Sequence, residues 1–371
     1  MRAIVIADDL TGAAEIAGIA WRYNISTALT TSAMVDTSAD MLVYCTDTRS
    51  VSREEAMKIT EHIADKIRTQ APGFLYKKID SVYRGYVVGE VKAIMHQLGY
   101  TKALIIGANP SLGRTITHGH YYIHGKPIHE TGFAHDPEFP VTHSSITKML
   151  GDEVQVLKHT DALPDHGIIA GEASSTTDLQ EWANKISNDW LLVGAGDFFT
   201  ALLQKHHQSG KQAAPSIALP HLFVRGTAYP DELGWVEAVQ EKYDGVVYLP
   251  VNCEQSSTWL SKARAILEKR KKLLLAYQGM AVPPGITAAM LRTNMANAVK
   301  RLVEQHGIKE LFIEGGSTAA SILQALHCTT LAVVYEWQRG VVKLQHNDLY
   351  ITVKPGSYAL HGTIKKFYLT E

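Results

Sequence analysis

Residues 4–15 read IVIADDLTGAAE, and they place an apolar strand, two adjacent acids, a Thr-Gly pair and small helix-forming residues in one short stretch. The acids Asp8 and Asp9 follow the strand directly, and Thr11 and Gly12 come where a helix is expected to begin. A helix N-terminus offers free N–H groups and the positive end of a dipole. Two carboxylates beside it suit a site that handles a hydroxyl group, a metal ion or a phosphate.

The rest of the first half continues the alternation of strands and helices. Apolar runs predict strands at 3–7, 41–45, 73–79 and 103–108, with helices at 12–23, 54–69 and 87–98 between them. This alternation predicts a parallel sheet covered on both faces, where ligands bind past the carboxyl ends of the strands. Polar clusters follow these strands, and we expect them to form one shared site: Asp8-Asp9, Asp47-Thr48-Arg49, Asp80-Ser81 and Asn109-Pro110.

Residues 110–145 form a long stretch rich in Gly, His and Pro, and a loop of this length inside a domain is often functional. Its segment HYYIHGKPIHE (120–130) predicts a hairpin around Gly125-Lys126. The histidines do not repeat a zinc-binding spacing such as HExxH, which favours solvated or hydrogen-bonded imidazoles over a metal site. They are His118, His120, His124, His129, His135 and His143.

The second half restarts the alternation after a polar, Pro-containing segment at 206–220. Strands are predicted at 221–225, 246–250, 272–276 and 311–314, and helices from about Pro230 to Tyr243 and from Thr287 to His306. Strands also lead into turns of glycine and hydroxyl residues in VRGTAYP (224–230), LFIEGGST (311–318) and VKPGSYALHG (353–362). Glycine lets backbone amides approach an anion, and Ser317 and Thr318 are predicted to cap a helix and to contact phosphate. Together the three turns favour a nucleotide-binding site.

These patterns predict an α/β protein of two domains, each a mostly parallel sheet flanked by helices. The predicted first domain spans 1–205, the linker 206–220 and the second domain 221–371, with the active site expected in the cleft between the domains. The net charge of −1 argues against a nucleic-acid binder steered by bulk charge, and no apolar run reaches membrane-spanning length. The cysteines Cys45, Cys253 and Cys328 are widely spaced, which is typical of reduced thiols in a cytoplasmic protein.

The sequence GAGDFF (194–199) raises an alternative. Sugar kinases resembling ribokinase carry Gly-Ala-Gly-Asp at a helix start, where the Asp acts as the base. Here an apolar strand precedes the motif without a polar lead-in, and we find no second ribokinase-type glycine motif near the N-terminus. The favoured interpretation is a strand-to-helix turn, and a ribokinase-type kinase that uses Asp197 as base stays open.

The motifs resemble those of the four-carbon acid sugar kinase family. The similarity runs in family order through IADDLTGAAE, TDTRS, KKIDSVYRG, GRTITHGHYYIHGKPIHETGFAHDPEFP, GGSTAASILQAL, EWQRGVV and ITVKPGSYA, and it covers nearly the whole chain. The resemblance implies a kinase that phosphorylates threonate, erythronate, an oxo-tetronate or a similar acid with ATP and Mg²⁺. It implies an acid-sugar domain at the N-terminus and an ATP domain at the C-terminus. The family usually has an acid where Ser317 stands, so a non-catalytic ligand sensor with this fold is a second alternative.

The predicted roles follow from this chemistry. Asp9 is the first choice for the general base and Asp80 the second, and no metal ligand is assigned. Arg49 and Arg84 are predicted to bind the substrate carboxylate, and Asp80 is predicted to bind its hydroxyls. The residues predicted to bind the acid sugar are Asp8, Thr11, Gly12, Arg49, Lys78, Ser81, Arg84 and Arg114. The residues predicted to bind the nucleotide are Gly226, Thr227, Gly315, Gly316, Ser317, Thr318 and Gly356. The expected partners are the two small molecules, without nucleic acid or membrane, and a homodimer is the default oligomeric state.

Overall fold

A computed structural model describes residues 3–33, 35, 37–136, 139–210, 213–227, 234–251, 258–277 and 285–370. The chain forms two compact units, Met1–Lys211 (unit 1) and Gln212–Glu371 (unit 2). Among the residues that the structure describes, no helix has the length and apolarity needed to cross a membrane. The assignment of an acid-sugar domain to 1–205 and a nucleotide domain to 221–371 stays a prediction.

Unit 1 is built on a parallel sheet in the order β2-β3-β1-β4-β11-β5-β10-β9. Its central strands are almost wholly buried, because helices cover an apolar sequence on both faces. The strands are β1 Ala3–Ala7, β2 Thr27–Thr30, β3 Met41–Cys45, β4 Phe74–Lys78, β5 Lys102–Ile106, β6 Arg114–Thr117, β7 His120–Ile123, β8 Lys126–Pro127, β9 Val154–Leu157, β10 Gly167–Gly171 and β11 Leu191–Gly194. The α-helices are α1 Leu10–Arg22, α2 Arg53–Gln70, α3 Val87–Leu98, α4 Ile146–Leu150, α5 Thr176–Lys185 and α6 Gly196–Gln204.

Helix α1 begins earlier than the predicted start at Gly12, because Asp9 is its N-cap residue. The Asp9 side chain accepts a hydrogen bond from the Gly12 backbone N–H, which satisfies one of the orphan donors of the first turn. Thr11 and Gly12 therefore lie inside the first helical turn. The cap fixes Asp9 at the junction between β1 and α1.

The predicted hairpin in the long stretch is confirmed. Strands β6, β7 and β8 form a separate antiparallel sheet, with β7 in the middle. The backbone N–H of Ile116 donates to the carbonyl of Ala173, and that of Asn109 donates to the carbonyl of Arg114. These bonds attach the small sheet to unit 1 next to the end of β5.

Unit 2 contains strands in the order β13-β14-β12-β15-β18-β17-β16, parallel from β13 to β18 and antiparallel beyond. The ring of Phe223 on β12 stacks on Phe312 of β15 at 4.8 Å in its core. The strands are β12 His221–Arg225, β13 Val246–Leu249, β14 Lys272–Tyr277, β15 Glu310–Glu314, β16 Thr330–Gln338, β17 Val341–His346 and β18 Leu349–Lys354. The helices are α7 Trp235–Tyr243, α8 Thr258–Arg270, α9 Ala288–His306, α10 Gly316–Ala325 and α11 Gly362–Tyr368; the predicted helix start at Pro230 lies outside the described residues.

Candidate active site

The polar clusters of unit 1 meet at one edge of the sheet, as expected from the sequence. Strand β1 lies between β3 and β4, and all three point their carboxyl ends the same way. Asp8 and Asp9 follow β1, Arg49 lies in a short 3-10 turn after β3, and Asp80 follows β4. Three acids and a guanidinium are thereby brought together from residues up to about 70 positions apart in the chain.

Arg49 joins two of these acids. Its guanidinium forms an ion pair with Asp9 and a second ion pair with Asp80, with 3.2 Å between Nη1 and Asp80 Oδ1. Burial would lower the pKa of Arg49, but the carboxylates of Asp9, Asp8, Asp80 and Asp47 raise it above its ordinary value. Arg49 is therefore a permanent cation at the centre of the acids.

Asp9 is held by its own helix start as well as by Arg49. It accepts hydrogen bonds from the Thr11 hydroxyl and, at 2.9 Å, from the Gly12 N–H. Burial would raise its pKa, but Arg49, Lys78 and these hydrogen bonds bring the pKa below its ordinary value. A Cβ at Gly12 would lie only 2.6 Å from Asp9 Oδ1 and 3.0 Å from Lys78 Nζ, so a larger residue there would displace these two side chains.

Asp80 is held by Arg84. Arg84 donates from Nε to Oδ2 at 2.9 Å and from Nη2 to Oδ1 at 3.0 Å, a bidentate pair, while its Nη1 donates to Asp136 at 2.9 Å. Burial would raise the pKa of Asp80, but Arg84, Arg49 and Lys78 together hold it well below its ordinary value. The two residues predicted to bind different parts of a substrate are thus bound to each other.

Phe133 lies between two arginines of the site. The guanidinium carbons of Arg84 and Arg114 lie 5.5 Å and 5.7 Å from the centre of its ring, within cation–π range. Arg114 also donates a hydrogen bond to the Ser81 hydroxyl. Phe133 and Asp136 carry no signal in the sequence, because a position in a long loop gives no indication of which side chains it contacts.

Asp8 differs from the other two acids. Its side chain is 2% exposed, and its Oδ1 atom has no hydrogen-bond partner among the described residues. Burial raises the pKa of Asp8 to about 6, and Asp9 and Glu90 act in the same direction, while Arg49 and Lys77 oppose them. Behind it, Lys77 and Glu90 form a fully buried ion pair.

Lys78 lies below the start of α1. Its ammonium donates to the carbonyl of Ile79 at 3.0 Å and lies 3.5 Å from a carboxylate oxygen of Glu15. The side chain is almost wholly buried, and it faces Gly12, where a Cβ would come within 3.0 Å of Nζ. Lys78 adds positive charge to the N-terminal turn that carries Asp9.

Asp197 occupies a different position on the same edge, after β11. Its two carboxylate oxygens accept hydrogen bonds from the Ser111 N–H at 2.8 Å and from the Ser111 hydroxyl at 2.9 Å. The Asp197 N–H in turn donates to the side chain of Asn109 at 2.9 Å. These contacts tie the start of α6 to the loop after β5, which agrees with the structural interpretation of this motif.

The glycine turns of unit 2 also lie side by side, because Arg225, Glu314 and Lys354 are in register at the ends of β12, β15 and β18. Glu314 accepts from Lys354 Nζ at 2.7 Å, and Arg225 Nε lies 3.6 Å from its second oxygen. A glycine-containing turn follows each of these three strand ends. The turns are Gly226-Thr227, Gly315-Gly316 and Pro355-Gly356.

The turns after β12 and β15 are in close contact. A Cβ at Gly226 would lie 2.3 Å from Thr318 Oγ1, and one at Gly315 would lie 3.0 Å from the Gly226 carbonyl. The prediction that Ser317 and Thr318 cap α10 is wrong, because Gly315 is the N-cap residue. Thr318 is buried and donates to the Gly226 carbonyl at 3.0 Å, which leaves the exposed Ser317 as the accessible hydroxyl.

In the described part of the chain no three His, Cys, Asp or Glu side chains are grouped so as to hold a metal ion. Cys45 and Cys328 are buried free thiols, and burial raises the pKa of each. Cys253 lies outside the described residues.

The chain is similar to known proteins over most of its length. The family described as "Sugar-binding N-terminal domain" matches residues 3–202. A D-threonate kinase from Bordetella bronchiseptica is 25% identical over 91% of this chain and 88% of that protein. A D-threonate kinase from Salmonella typhimurium is 25% identical over 100% of this chain and 99% of that protein. A solved Haemophilus influenzae protein has the same fold, with 18% identity, a TM-score of 0.75 and coverage of 98% of both chains.

Proposed function

The chain belongs to the family with the sugar-binding N-terminal domain, and from this membership we propose that it is an ATP-dependent kinase for a four-carbon sugar acid. The relatives named as D-threonate, D-erythronate and 3-oxo-tetronate kinases support a sugar acid as the acceptor. The substrate we propose carries a carboxylate, several hydroxyls and a terminal hydroxyl that receives the phosphoryl group.

The proposal that unit 1 binds the sugar acid rests on the arrangement of charged side chains at the carboxyl ends of its strands. Arg49, Arg84 and Arg114 supply guanidinium groups whose planar donors match a carboxylate. Asp9 and Asp80 supply acceptors for hydroxyl groups. A sugar acid presents these two kinds of group on one small molecule, so the arrangement suits it better than a neutral sugar.

ATP is assigned to unit 2. The turns after β12, β15 and β18 lie next to one another, and glycine in these turns allows backbone amides to approach a phosphate. Helix α10 begins at Gly316 directly after the central turn, so its free N–H groups and positive dipole end favour a phosphate there. The proposed contacts to ATP are Gly226, Thr227, Gly315, Gly316, Ser317 and Gly356. Thr318 stabilises the turn through its hydrogen bond to the Gly226 carbonyl.

Phosphoryl transfer to a hydroxyl requires an aligned acceptor, a group that takes its proton and cations near the transferred charge. Arg49 and Arg84 are the groups proposed to orient the acid. Mg²⁺ accompanies ATP in such reactions and is usually held by phosphates, waters and one or two carboxylates. No residue of the chain is assigned to Mg²⁺.

The ATP site is tested by Gly226→Ala. In thermal-shift titrations with ATP and Mg²⁺, the wild-type Tm should rise, because a ligand that binds only the folded state stabilises it. Gly226→Ala should weaken ATP binding about tenfold, since displacing Thr318 costs about 1–3 kcal/mol. Gly362→Ala is the matched control, because a Cβ there meets nothing within 4 Å. A wild type whose Tm does not respond to millimolar ATP would favour the ligand-sensor alternative.

The ribokinase-type alternative is tested by Asp197→Asn. We expect kcat to stay within a few-fold of wild type, because both carboxylate oxygens of Asp197 are engaged by Ser111. The same variant should lose about 1–2 kcal/mol of unfolding free energy, since an amide cannot accept both hydrogen bonds. Steady-state kinetics and urea unfolding measure the two quantities. A loss of activity of a hundredfold or more in a folded variant would restore Asp197 as a candidate base.

A further inference from the structure

Two of the three acids at the edge of unit 1 are paired with arginines and accept further hydrogen bonds. Asp9 is paired with Arg49 and accepts hydrogen bonds from Thr11 and Gly12. Asp80 accepts a bidentate pair from Arg84 and a backbone hydrogen bond from the same residue. A carboxylate that is stabilised in this way is a weak proton acceptor, because protonation would break its ion pairs.

Asp8 differs from these two acids at its Oδ1 atom. Its buried Oδ1 has no hydrogen-bond partner among the described residues, although a carboxylate out of contact with water normally has one. Gly85 leaves space on the other side: a Cβ there would still lie 3.8 Å from Asp8 Oδ2 and 3.6 Å from Arg49 Cγ. Gly85 also adopts φ +91°, which other residues rarely adopt, so a side chain is disfavoured at this point.

We propose that Asp8 is the general base of the reaction, in place of Asp9 or Asp80. This role depends on the sugar acid kinase activity proposed for the chain. The substrate hydroxyl oxygen forms a bond to the γ-phosphorus of ATP while the bond from that phosphorus to the β,γ-bridging oxygen breaks. The hydroxyl proton passes to the Asp8 carboxylate, and the bond electrons leave on the terminal oxygen of ADP. Arg49 and its two acids then orient the substrate and do not take its proton.

The charged groups around Asp8 support this assignment. Asp9 comes from the start of α1, Arg49 from the turn after β3, Lys77 from β4 and Glu90 from α3. Burial and the two neighbouring acids raise the pKa of Asp8 more than the two cations lower it, so the pKa rises to about 6. Such a group is ionised at neutral pH but retains more affinity for a proton than an ordinary aspartate, which suits a general base.

The test is Asp8→Asn, which preserves the shape of the side chain and removes its basicity. We expect kcat to fall at least about a hundredfold, while the Kd values of the sugar acid and ATP stay within a few-fold of wild type. The wild-type kcat should rise with pH to a plateau above about pH 6, and the residual activity of Asp8→Asn should lack this rise. Asp65→Asn, on the exposed face of α2, is the surface control.

A second readout does not require activity. Because the pKa of Asp8 is raised in the folded state, ionisation of Asp8 destabilises the fold as pH rises from about 4 through 6. Asp8→Asn should therefore gain Tm relative to wild type at pH 8, and the gain should shrink towards pH 4. A difference in Tm that does not vary with pH would overturn the assignment.

The kinetic outcomes separate the two proposals. An active wild type with a fully active Asp8→Asn overturns Asp8 as the base and leaves the kinase proposal intact. A wild type that phosphorylates no sugar acid overturns the kinase proposal, and the role of Asp8 with it. A loss of sugar-acid affinity that accounts for the whole defect of Asp8→Asn would make Asp8 a binding residue and also overturn its role as base.

Discussion

Arg49→Ala should lower kcat/KM for the sugar acid by about three orders of magnitude, the largest effect expected for a single substitution in unit 1. Removing the guanidinium leaves Asp9 and Asp80 as adjacent buried carboxylates without the cation they share. Removing one member of a buried ion pair costs about 3–5 kcal/mol of free energy. The Arg49→Ala substitution also removes a hydrogen-bond donor for the substrate carboxylate.

The measurement is kcat/KM with a saturating second substrate, together with the Tm of each variant. Arg53→Ala is the matched control, because Arg53 is an exposed arginine at the start of α2. Arg49→Lys should recover only part of the activity, since an ammonium cannot present paired planar donors to two acids. A folded Arg49→Ala enzyme with kcat/KM within a few-fold of wild type would show that Arg49 has no part in the site.

Arg84→Ala should lower kcat/KM for the sugar acid by about two orders of magnitude, because a charged hydrogen bond in a closed site contributes a few kcal/mol. In the structure Arg84 already binds Asp80 and Asp136, and we expect the substrate carboxylate to take the place of Asp136 on Nη1. Arg84→Lys should not restore full activity, because the planar fork is lost.

The Kd for ATP should be nearly unchanged in both Arg84 variants, since ATP is assigned to unit 2. Kinetics with the acid and equilibrium binding of ATP test the two statements separately. If Arg84→Ala keeps its activity on the acid, or loses ATP binding instead, the assignment of KKIDSVYRG to the acid is wrong.

The α/β class and the parallel sheet could be predicted from the sequence, and both are confirmed, as is the family resemblance. A fully apolar strand such as Ala3–Ala7 must be covered by helices on both faces of its sheet. The apolar run is a short pattern, so it can be recognised in the sequence alone. Because the carboxyl ends of parallel strands lie at one edge of a sheet, the sequence also correctly predicted that Asp9, Arg49 and Asp80 lie at the same edge. Cytoplasmic location, a homodimer and the roles of individual residues stay predictions.

The pairing of the site residues could not be predicted. Asp80 and Arg84 were assigned to different groups of a substrate, yet they form an ion pair with each other. Phe133 and Asp136 reach the arginines through the fold of a long loop, and sequence spacing carries no information about such contacts. The environment of Asp8 depends on burial and on Lys77 and Glu90, which belong to separate elements.

The start of α10 differs from the prediction made from the sequence. Hydroxyl residues are good N-caps, so Ser317 and Thr318 were predicted to cap the helix. The N-cap residue is instead Gly315, two residues before Ser317, and its φ of +113° and close approach to Gly226 require glycine. The preference for a cap residue was overridden by the contact between two turns.

We propose above all that this chain transfers a phosphoryl group from ATP to a sugar acid. The most direct test incubates the purified chain with ATP, Mg²⁺ and one of threonate, erythronate or 3-oxo-tetronate, and follows ADP and the phosphorylated acid by ³¹P NMR and mass spectrometry. We predict that at least one acid yields its phosphate ester in equal amount to ADP. Binding of these acids without formation of ADP or ester from any of them would contradict the account.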